Sequence, residues 1–406
     1  MISCEKALEL VLSNLPERTS ALIHLRDALG CVLAGPLVAN ANVPPFNRAA
    51  MDGYALRACD VEQAPVELDY AGEARAGGGA AGALPPGQAI AIMTGAPVPD
   101  GADSVQMVEQ TRRSPDGRRV TIQKPVKPGE NITPLGFEAS IGDVVLEADR
   151  YIGPAEMAVF ATFGFARVRV WSRPRVAVLV TGDELVEVED NPRPDQIRNS
   201  NACSVTAQLR LMNIEPEYLG IVRDDRDELR HRVREGLERD VLIITGGVSM
   251  GEYDFAKQVF EELGLEILFS RVAMKPGKPT VFARKEKKLV FGLPGNPVST
   301  FVAFENFVRP ALGRLCGWSE PDLPRVRGEL LRDMKQAAGR TAFLPAWASM
   351  GPTGWTVEPL RWKGSADIIG FARANAVVVF PAERDFMAKG ERVEAMLLPD
   401  FHSRQR

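Results

Sequence analysis

This sequence contains few of the residues that most directly indicate a metal site or a disulfide framework. Only three of its 406 residues are histidine and five are cysteine, and no cysteines have CxxC spacing. Three unrelated histidines argue against a zinc site. An odd number of widely separated cysteines indicates reduced thiols, not a disulfide framework. These shortages predict a cytoplasmic protein without a zinc site.

Long apolar runs and basic blocks are missing as well. No hydrophobic segment approaches the ~20 residues of a membrane span, and the N-terminus lacks a secretion signal. The net charge is −4, so neither nucleic acid nor a membrane is expected as the main partner. A chain of 406 residues is too long for one core, and several domains are expected.

Alternating strand and helix patterns over residues 174–318 predict a three-layer α/β domain with a parallel-dominated sheet. Its predicted strands are 175–181, 217–221, 241–245 and 265–272, with a charged hairpin between 280–283 and 289–291. Its predicted helices are 202–212, 226–239, 255–263 and 298–312. Ligands bind such sheets outside the carboxyl ends of the strands, and the polar motifs of this chain fall there.

The flanking regions predict three further domains. Residues 1–42 and 137–173 contain two helical patterns and form an N-terminal helical domain, in which the second helix is expected to pack on the first. Residues 43–136 are rich in glycine and short strands, and they indicate an inserted β-rich domain. Residues 319–406 have five strand patterns and predict a small β-barrel or sandwich.

A glycine turn after the strand 241–245 is the centre of the predicted site. Gly246 and Gly247 permit positive φ and let backbone N–H groups approach an anion. Ser249 adds a hydroxyl, and Asp254 is predicted to cap the next helix with its carboxylate at the rim. An ordinary tight turn between a strand and a helix remains the alternative for these residues taken alone.

Three other motifs carry polar groups on stiff turns. Lys275-Pro276-Gly277-Lys278-Pro279 places two ammonium groups where they could neutralise phosphate, although a surface turn is the alternative. Pro294-Gly295-Asn296-Pro297 either lines a pocket or is a structural elbow. In the N-terminal half, Asp52 and Thr94 lie on predicted turns outside the α/β domain. Their polar side chains would have a role only if these turns face a cleft elsewhere in the protein.

These motifs, together with Met51-Asp52-Gly53-Tyr54-Ala55 and Thr181-Gly182-Asp183-Glu184-Leu185, occur in order over nearly the whole chain. In this the sequence resembles the molybdopterin molybdenumtransferase family, which includes the catalytic domain of gephyrin. The resemblance implies a homodimer whose active sites form between the α/β domain of one subunit and the β-rich domain of the other. It also implies the reaction, in which adenylylated molybdopterin and molybdate give molybdenum cofactor and AMP with the help of Mg²⁺.

The resemblance further implies roles for individual residues. Catalytic roles fall on Asp52, Thr94, Glu184, Asp225, Asp254, Lys275 and Lys278. Substrate binding falls on Thr245, Gly246, Gly247, Ser249, Pro294, Gly295, Asn296, Pro297 and Ser365. The implied Mg²⁺ ligands are Glu184, Asp254 and Glu138, because carboxylate and phosphate oxygens suit this ion. The upstream adenylyltransferase is left open as a partner.

Departures from the family pattern at Ala49, Glu138 and Asn199 leave one alternative open, a diverged paralogue that binds the pterin as a scaffold or prefers tungstate. A second alternative is another nucleotide-processing enzyme built on the same α/β domain, as in the competence-damage-type proteins. That alternative gives Asp52 and Thr94 no role. The retained acidic residues and lysines favour the transferase.

Overall fold

The computed structural model describes residues 1–78, 82–223, 225–247, 255–399 and 401. The chain divides into two compact units. The first unit comprises Met1–Ala34, Tyr151–Gly153 and Arg167–Arg406, and the second comprises Gly35–Arg150 and Pro154–Ala166. The first unit contains an α/β sheet and a C-terminal barrel, and the second is built on a separate β-sheet.

The α/β sheet has six strands, and the predicted alternation of strands and helices is confirmed. In spatial order they are Glu217–Val222, Val176–Thr181, Val241–Thr245, Lys288–Leu293, Val281–Lys285 and Glu266–Phe269. The first four pair in parallel, whereas Val281–Lys285 is antiparallel to both neighbours. The predicted charged hairpin causes this reversal, because so short a connection joins only antiparallel strands. Five strands therefore run in one direction and one runs against them.

Both faces of this sheet are buried. In the central strand, Val241 and Ile243 belong to one core cluster and Leu242 and Ile244 to another. Helices Ser200–Arg210, Pro297–Ala303 and Arg309–Leu315 pack on the first face, and Arg226–Gly236 and Phe255–Glu262 on the second. Burial on two faces explains why the strand is a continuous apolar run without alternation. The predicted three-layer arrangement is confirmed.

The first helix, Cys4–Ser13, joins the core of the α/β domain. Ser3 caps it, since its hydroxyl accepts a hydrogen bond from the Lys6 backbone N–H at 3.2 Å. Its buried residues lie in one cluster with the helix Arg309–Leu315 and the π-helical turn Phe304–Val308. The second helix of the predicted helical domain, Pro154–Thr162, belongs to the other compact unit.

The C-terminal region is a closed barrel. Its strands are the five predicted ones, Arg325–Leu330, Thr341–Gly351, Gly354–Pro359, Ala376–Phe380 and Arg392–Leu397. The barrel closes because the long strand Thr341–Gly351 pairs with both Gly354–Pro359 and Ala376–Phe380. Closure leaves few unpaired strand edges. One edge that remains accepts a short strand from the α/β domain, Met274–Lys275.

The second unit contains a six-stranded mixed sheet. Its strands in chain order are Gly53–Leu56, Val66–Ala74, Gln88–Ile92, Ser104–Met107, Thr111–Arg113 and Arg119–Ile122. Four of them coincide with the short strands that the sequence predicts at 66–71, 89–93, 104–110 and 119–123. The strand Gly53–Leu56 was not predicted, because Gly53 stands inside a turn-like motif. A Cβ at Gly53 would lie 1.9 Å from the Gln106 carbonyl oxygen, so glycine is required there by the close approach of the paired strand.

Short two-stranded ribbons and single turns complete the described fold. The ribbons pair Ser20–His24 with Arg167–Trp171, Leu37–Val38 with Val144–Leu146, Arg48–Ala49 with Ile132–Thr133, Leu185–Val186 with Ile197–Arg198, and Met334–Lys335 with Phe386–Met387. The short helices are Leu25–Asp27, Ala58–Val61, Val108–Gln110 and Ile368–Phe371. Among the described residues, no helix has the length and apolar character needed to cross a membrane.

The aromatic core of the sheet gives a stability prediction. Phe291 is fully buried, and its ring centroid lies 5.0 Å from that of Phe282. Phe291→Ala should lower the free energy of unfolding by about 3–5 kcal/mol, because it removes buried apolar contacts and leaves a cavity. The exposed Leu22 is the control, and Leu22→Ala should change it by less than about 0.5 kcal/mol. Urea denaturation measures both, and similar effects would contradict the assigned core.

Candidate functional site

A cavity of about 1080 Å³ opens where the parallel strands of the α/β sheet end. Thr181, Thr245 and Pro294 line it, and each lies at or directly after the carboxyl end of a strand. The barrel contributes a second wall through Gln336, Arg340 and neighbouring residues. The expectation that ligand groups gather at this edge of the sheet therefore agrees with the position of the cavity.

The glycine turn has the predicted backbone, and the structure adds a reason for it. Gly246 and Gly247 have φ of 81° and 54°. A Cβ on Gly246 would lie 2.2 Å from the Thr181 carbonyl oxygen, and one on Gly247 would lie 2.2 Å from Thr181 Oγ1. Both glycines are thus required by the neighbouring strand end as well as by positive φ. Ser249 and Asp254 lie outside the described residues.

Buried polar atoms accompany this turn. Thr181 and Thr245 are 5% and 0% exposed, and both residues line the cavity. Within the described parts of the chain, the hydroxyl oxygens of both threonines and Oδ1 of Asn201 have no hydrogen-bond partner. Buried polar groups are rarely left unpaired. These atoms mark the floor of the cavity as a place where further polar partners are expected.

The loop Pro294 to Pro297 is held from two sides. Asn201 Nδ2 donates to the Gly295 carbonyl oxygen at 2.8 Å, and Asn296 Nδ2 donates to Ser365 Oγ at 3.0 Å. The Ser365 carbonyl oxygen also accepts from the Val298 backbone N–H at 3.1 Å. All of these residues except Val298 line the cavity. The loop is therefore a cavity wall, and Ser365 lies beside it in the same wall.

The two lysines of the proline-glycine turn differ in their surroundings. Both line the cavity. Lys275 is half-buried, and its Nζ donates to Gln336 Oε1 at 2.9 Å. Lys278 is exposed, and no described residue forms a hydrogen bond or ion pair with its ammonium group that would hold it in place. The turn itself is tight, because Val272 N–H donates to the Lys278 carbonyl oxygen at 2.9 Å.

Sequence reasoning missed several lining residues. Arg198, Gln336, Arg340 and Trp362 belong to the cavity wall. Arg198 stands directly before the cap of the helix Ser200–Arg210. Its place at the start of a helix could have identified it from the sequence as a candidate site residue. The other three lie in barrel loops with no motif. With them, the described lining has four cationic side chains (Arg198, Lys275, Lys278, Arg340) against the single carboxylate of Glu184, and the cavity is electropositive in a chain of net charge −4.

Asn199 starts the helix that reaches this cavity. Its Oδ1 accepts from the Ala202 backbone N–H at 3.1 Å, and its Nδ2 donates to the Tyr218 hydroxyl at 2.9 Å. That hydroxyl donates to Glu187 Oε1 at 2.8 Å. Burial, followed by the bond to Glu187, raises the pKa of Tyr218 above its usual value. An amide at 199 suits this chain of bonds, because a carboxylate could not donate to the Tyr218 hydroxyl while that hydroxyl donates to Glu187.

The remaining predicted site residues lie elsewhere. Asp225 caps the helix Arg226–Gly236, accepting from the Glu228 backbone N–H at 2.8 Å, and does not line the cavity. Asp52, Thr94 and Glu138 belong to the second compact unit. Glu138 forms an ion pair with Arg48 at 2.7 Å.

Asp52 and Thr94 form a matched pair. Asp52 Oδ1 accepts from the Thr94 backbone N–H at 2.6 Å and from its hydroxyl at 2.8 Å. These two bonds, the backbone one first, hold the pKa of the Asp52 carboxyl below its usual range. An exposed Asp52 is therefore ionised at neutral pH and keeps a free oxygen for another partner.

The donor set for a metal is small. The described residues contain no group of three or more histidine, cysteine, aspartate or glutamate side chains that could hold an ion. Glu184 is the one described carboxylate in the cavity wall. Mg²⁺ is usually bound by one or two carboxylates together with substrate phosphates and water. Glu184 fits such a site, provided that the substrate supplies further oxygens.

Three regions of the chain match family models. Residues 2–164 match the MoeA N-terminal region (domain I and II), residues 177–314 a probable molybdopterin binding domain, and residues 327–398 the MoeA C-terminal region (domain IV). The three regions follow in the order of the N-terminal part, the α/β domain and the barrel. Together they account for most of the chain.

Full-length relatives and solved structures agree with these matches. The chain is 34% identical to molybdopterin molybdenumtransferase of Staphylococcus aureus, over 98% of this chain and 95% of the relative. It is 35% identical, with the same coverage, to the enzyme of that name from Staphylococcus epidermidis. It is also similar to the molybdopterin biosynthesis MoeA protein of Pyrococcus horikoshii, with a TM-score of 0.81 and 30% identity over 98% of this chain and 100% of that one.

The Asp52–Thr94 pair gives a prediction on proton binding. In Thr94→Val the hydroxyl bond is lost and the backbone bond remains, so the pKa of Asp52 should rise part of the way to its usual value. Because the folded-state pKa is depressed, the pair stabilises the fold at neutral pH, and this contribution fades as the pH falls through that pKa. NMR titration of the Asp52 carboxyl checks it. An unchanged pKa would show that the hydroxyl bond contributes nothing.

Proposed function

The chain belongs to the molybdopterin molybdenumtransferase family, and from this premise we propose that it transfers molybdenum from molybdate to adenylylated molybdopterin and releases AMP. The electropositive cavity carries the proposal. Its described lining has four cations and one carboxylate, which suits a ligand that contains a diphosphate together with an oxyanion. Its volume of about 1080 Å³ is large enough for a nucleotide-sized molecule.

Different residues of the cavity would bind different parts of the substrate. The turn of Thr245, Gly246 and Gly247 offers phosphate oxygens the Gly247 backbone N–H and a buried threonine hydroxyl, whereas the Gly246 N–H already donates to the Leu293 carbonyl oxygen at 3.2 Å. Lys275, Lys278 and Arg340 supply positive charge for the diphosphate and the molybdate, as ammonium and guanidinium groups do elsewhere. Asn296 and Ser365, which are hydrogen-bonded to each other, form another part of the wall. By the resemblance, Ser249 and Asp254 complete the cradle and its rim.

Mg²⁺ is the proposed cofactor. Glu184, with Asp254, would hold it on the protein side, and Glu138 is a weaker candidate because Arg48 already pairs with it. When bound, Mg²⁺ would neutralise the charge that develops on the phosphate group as AMP leaves. The protein groups would keep the diphosphate and the oxyanion aligned, and their positioning lowers the entropic part of the barrier.

We also propose that the active protein is a homodimer with shared sites. Asp52 and Thr94 of the partner subunit would complete each cavity, and Asp225 would support the site from its helix cap. Exposed apolar side chains of the second unit support an interface: Leu135, Phe137, Ile141 and Val144 are 50%, 72%, 65% and 52% exposed. A cluster of such residues in sequence indicates a contact surface.

The proposal extends to the organisation and setting of the chain. The four-domain division (1–42 with 137–173, 43–136, 174–318 and 319–406) assigns Asp52 and Thr94 to the inserted domain and the cavity to the last two. A cytoplasmic location follows from the cysteine usage. The upstream adenylyltransferase is the partner that would deliver an adenylylated substrate.

Release of AMP tests the function directly. Purified protein mixed with adenylylated molybdopterin, molybdate and Mg²⁺ should release AMP in proportion to the cofactor formed. Asp52→Ala should slow this release by about 100-fold, the lower range for one positioned acid–base group, and should leave the melting temperature almost unchanged. Failure of the wild-type protein to release AMP would refute the proposed reaction.

Asp116 provides the matched control for Asp52. It is also an aspartate that accepts one hydroxyl bond, from Ser114 at 2.6 Å, and one backbone bond, from Arg118 at 3.1 Å. Asp116→Ala therefore removes the same kind of turn contact without a proposed role in catalysis. Equal loss of activity in both variants would mean that Asp52 acts only by holding its turn.

Lysine and carboxylate variants should differ in their dependence on Mg²⁺. Lys278→Met should weaken substrate binding by about tenfold at every Mg²⁺ concentration, because it removes a charged hydrogen-bond donor. Glu184→Gln should shift the required Mg²⁺ concentration upward, since an amide is a poorer ligand for this ion. The exposed barrel residue Lys389 is the charge-matched control, through Lys389→Met. Parallel curves for Lys278→Met and Glu184→Gln would contradict this division of roles.

A further inference from the structure

The turn that carries Lys275 is anchored outside the α/β sheet. Met274 and Lys275 pair in parallel with Thr341 and Ala342 of the barrel, and Thr341 N–H donates to the Ala273 carbonyl oxygen at 3.0 Å. On the other side of the same segment, Ala273 N–H donates to the Ile2 carbonyl oxygen at 2.7 Å. The backbone that leads into the turn is therefore held between a barrel strand and the start of the chain.

The turn is also closed on itself. In addition to the bond from Val272 to Lys278, the Thr280 hydroxyl donates to the Gly277 carbonyl oxygen at 2.6 Å, and Thr280 is 0% exposed. A backbone fixed at both ends leaves only the long lysine side chains to be ordered. A lysine side chain has four rotatable bonds, and ordering it costs rotamer entropy.

One of the two lysine side chains is ordered by the barrel. Gln336 accepts from Lys275 Nζ at 2.9 Å, and both residues line the cavity. Gln336 follows the strand Met334–Lys335, and its own backbone N–H donates to the Asp385 carbonyl oxygen at 3.0 Å. The amide that holds the ammonium group is thus part of a paired ribbon of the barrel.

We propose that Gln336 is a positioning residue for Lys275, and that the barrel through it sets where this positive charge stands in the cavity. A neutral amide suits the task. It engages one of the three N–H donors of the ammonium group and leaves two for an anionic ligand. It also leaves the positive charge in place, whereas a carboxylate would offset the charge. The inference rests on the proposed function in that the anion is the substrate of that reaction.

A double-mutant cycle on AMP release tests the coupling. Gln336→Met removes the acceptor with little change in length, and it should raise the KM for adenylylated molybdopterin about tenfold with a smaller change in kcat. In the Lys275→Met background the same substitution should have almost no further effect, because its action passes through that lysine. Additive effects in the double variant would overturn the proposal.

A second measurement does not depend on turnover. An amine-reactive reagent, applied without substrate and read by mass spectrometry, should label Lys275 severalfold faster in Gln336→Met than in the wild-type protein. Lys278 serves as the internal reference and should keep its rate. Gln336→Glu should keep Lys275 slow to react, since the acceptor remains, yet should raise KM because it offsets the charge. Equal labelling of Lys275 in all three proteins would overturn the proposal.

Lys335→Met is the matched control for damage to the barrel. Lys335 precedes Gln336, lies over the ring of Phe386 at 5.7 Å and does not line the cavity. Its substitution should change neither KM nor labelling, and a change equal to that of Gln336→Met would overturn the positioning role. If the wild-type protein released no AMP while the labelling pattern held, the proposed reaction would fail and the positioning of Lys275 would stand.

Discussion

The close approach of two neighbouring strand ends is the constraint on which the rest of the site depends. The turn at Gly246 and Gly247 lies so near Thr181 that neither glycine has room for a Cβ. Because both faces of the sheet are covered by helices, its carboxyl edge is the part left open to a ligand. The tight turn lies close to the strand ends and leaves room for the cavity beyond them.

Polar contacts then assemble the walls around this floor. Asn201 fixes Gly295, and Asn296 donates to Ser365 within the same wall. The start of the helix Ser200–Arg210 is itself held through Asn199, Tyr218 and Glu187. Each contact joins residues from different loops, so the cavity is a product of several elements. No single motif of the chain would form it alone.

The barrel has a direct part in the site. It accepts the strand Met274–Lys275 at its edge, and it contributes Gln336 and Arg340 to the cavity wall. Small barrels often serve as separate binding modules, whereas here the barrel and the α/β domain belong to one compact unit. The cavity is electropositive although the chain is acidic, because cationic side chains from the α/β domain and the barrel meet there.

The sequence by itself determined most of the longer elements and the central turn. The run Val241–Thr245, the glycines after it, the Ser3 cap and the five barrel strands all follow from local periodicity, from φ preferences and from capping. Only the tertiary structure decided which side chains meet. Lys275 and Gln336 are 61 residues apart, and Asn296 and Ser365 are 69 residues apart. It also gave Asp225 the role of a helix cap and joined the first helix to the α/β core. Such pairings depend on how whole domains pack. Local sequence preferences act between residues that are close along the chain, so they do not determine contacts between residues this far apart.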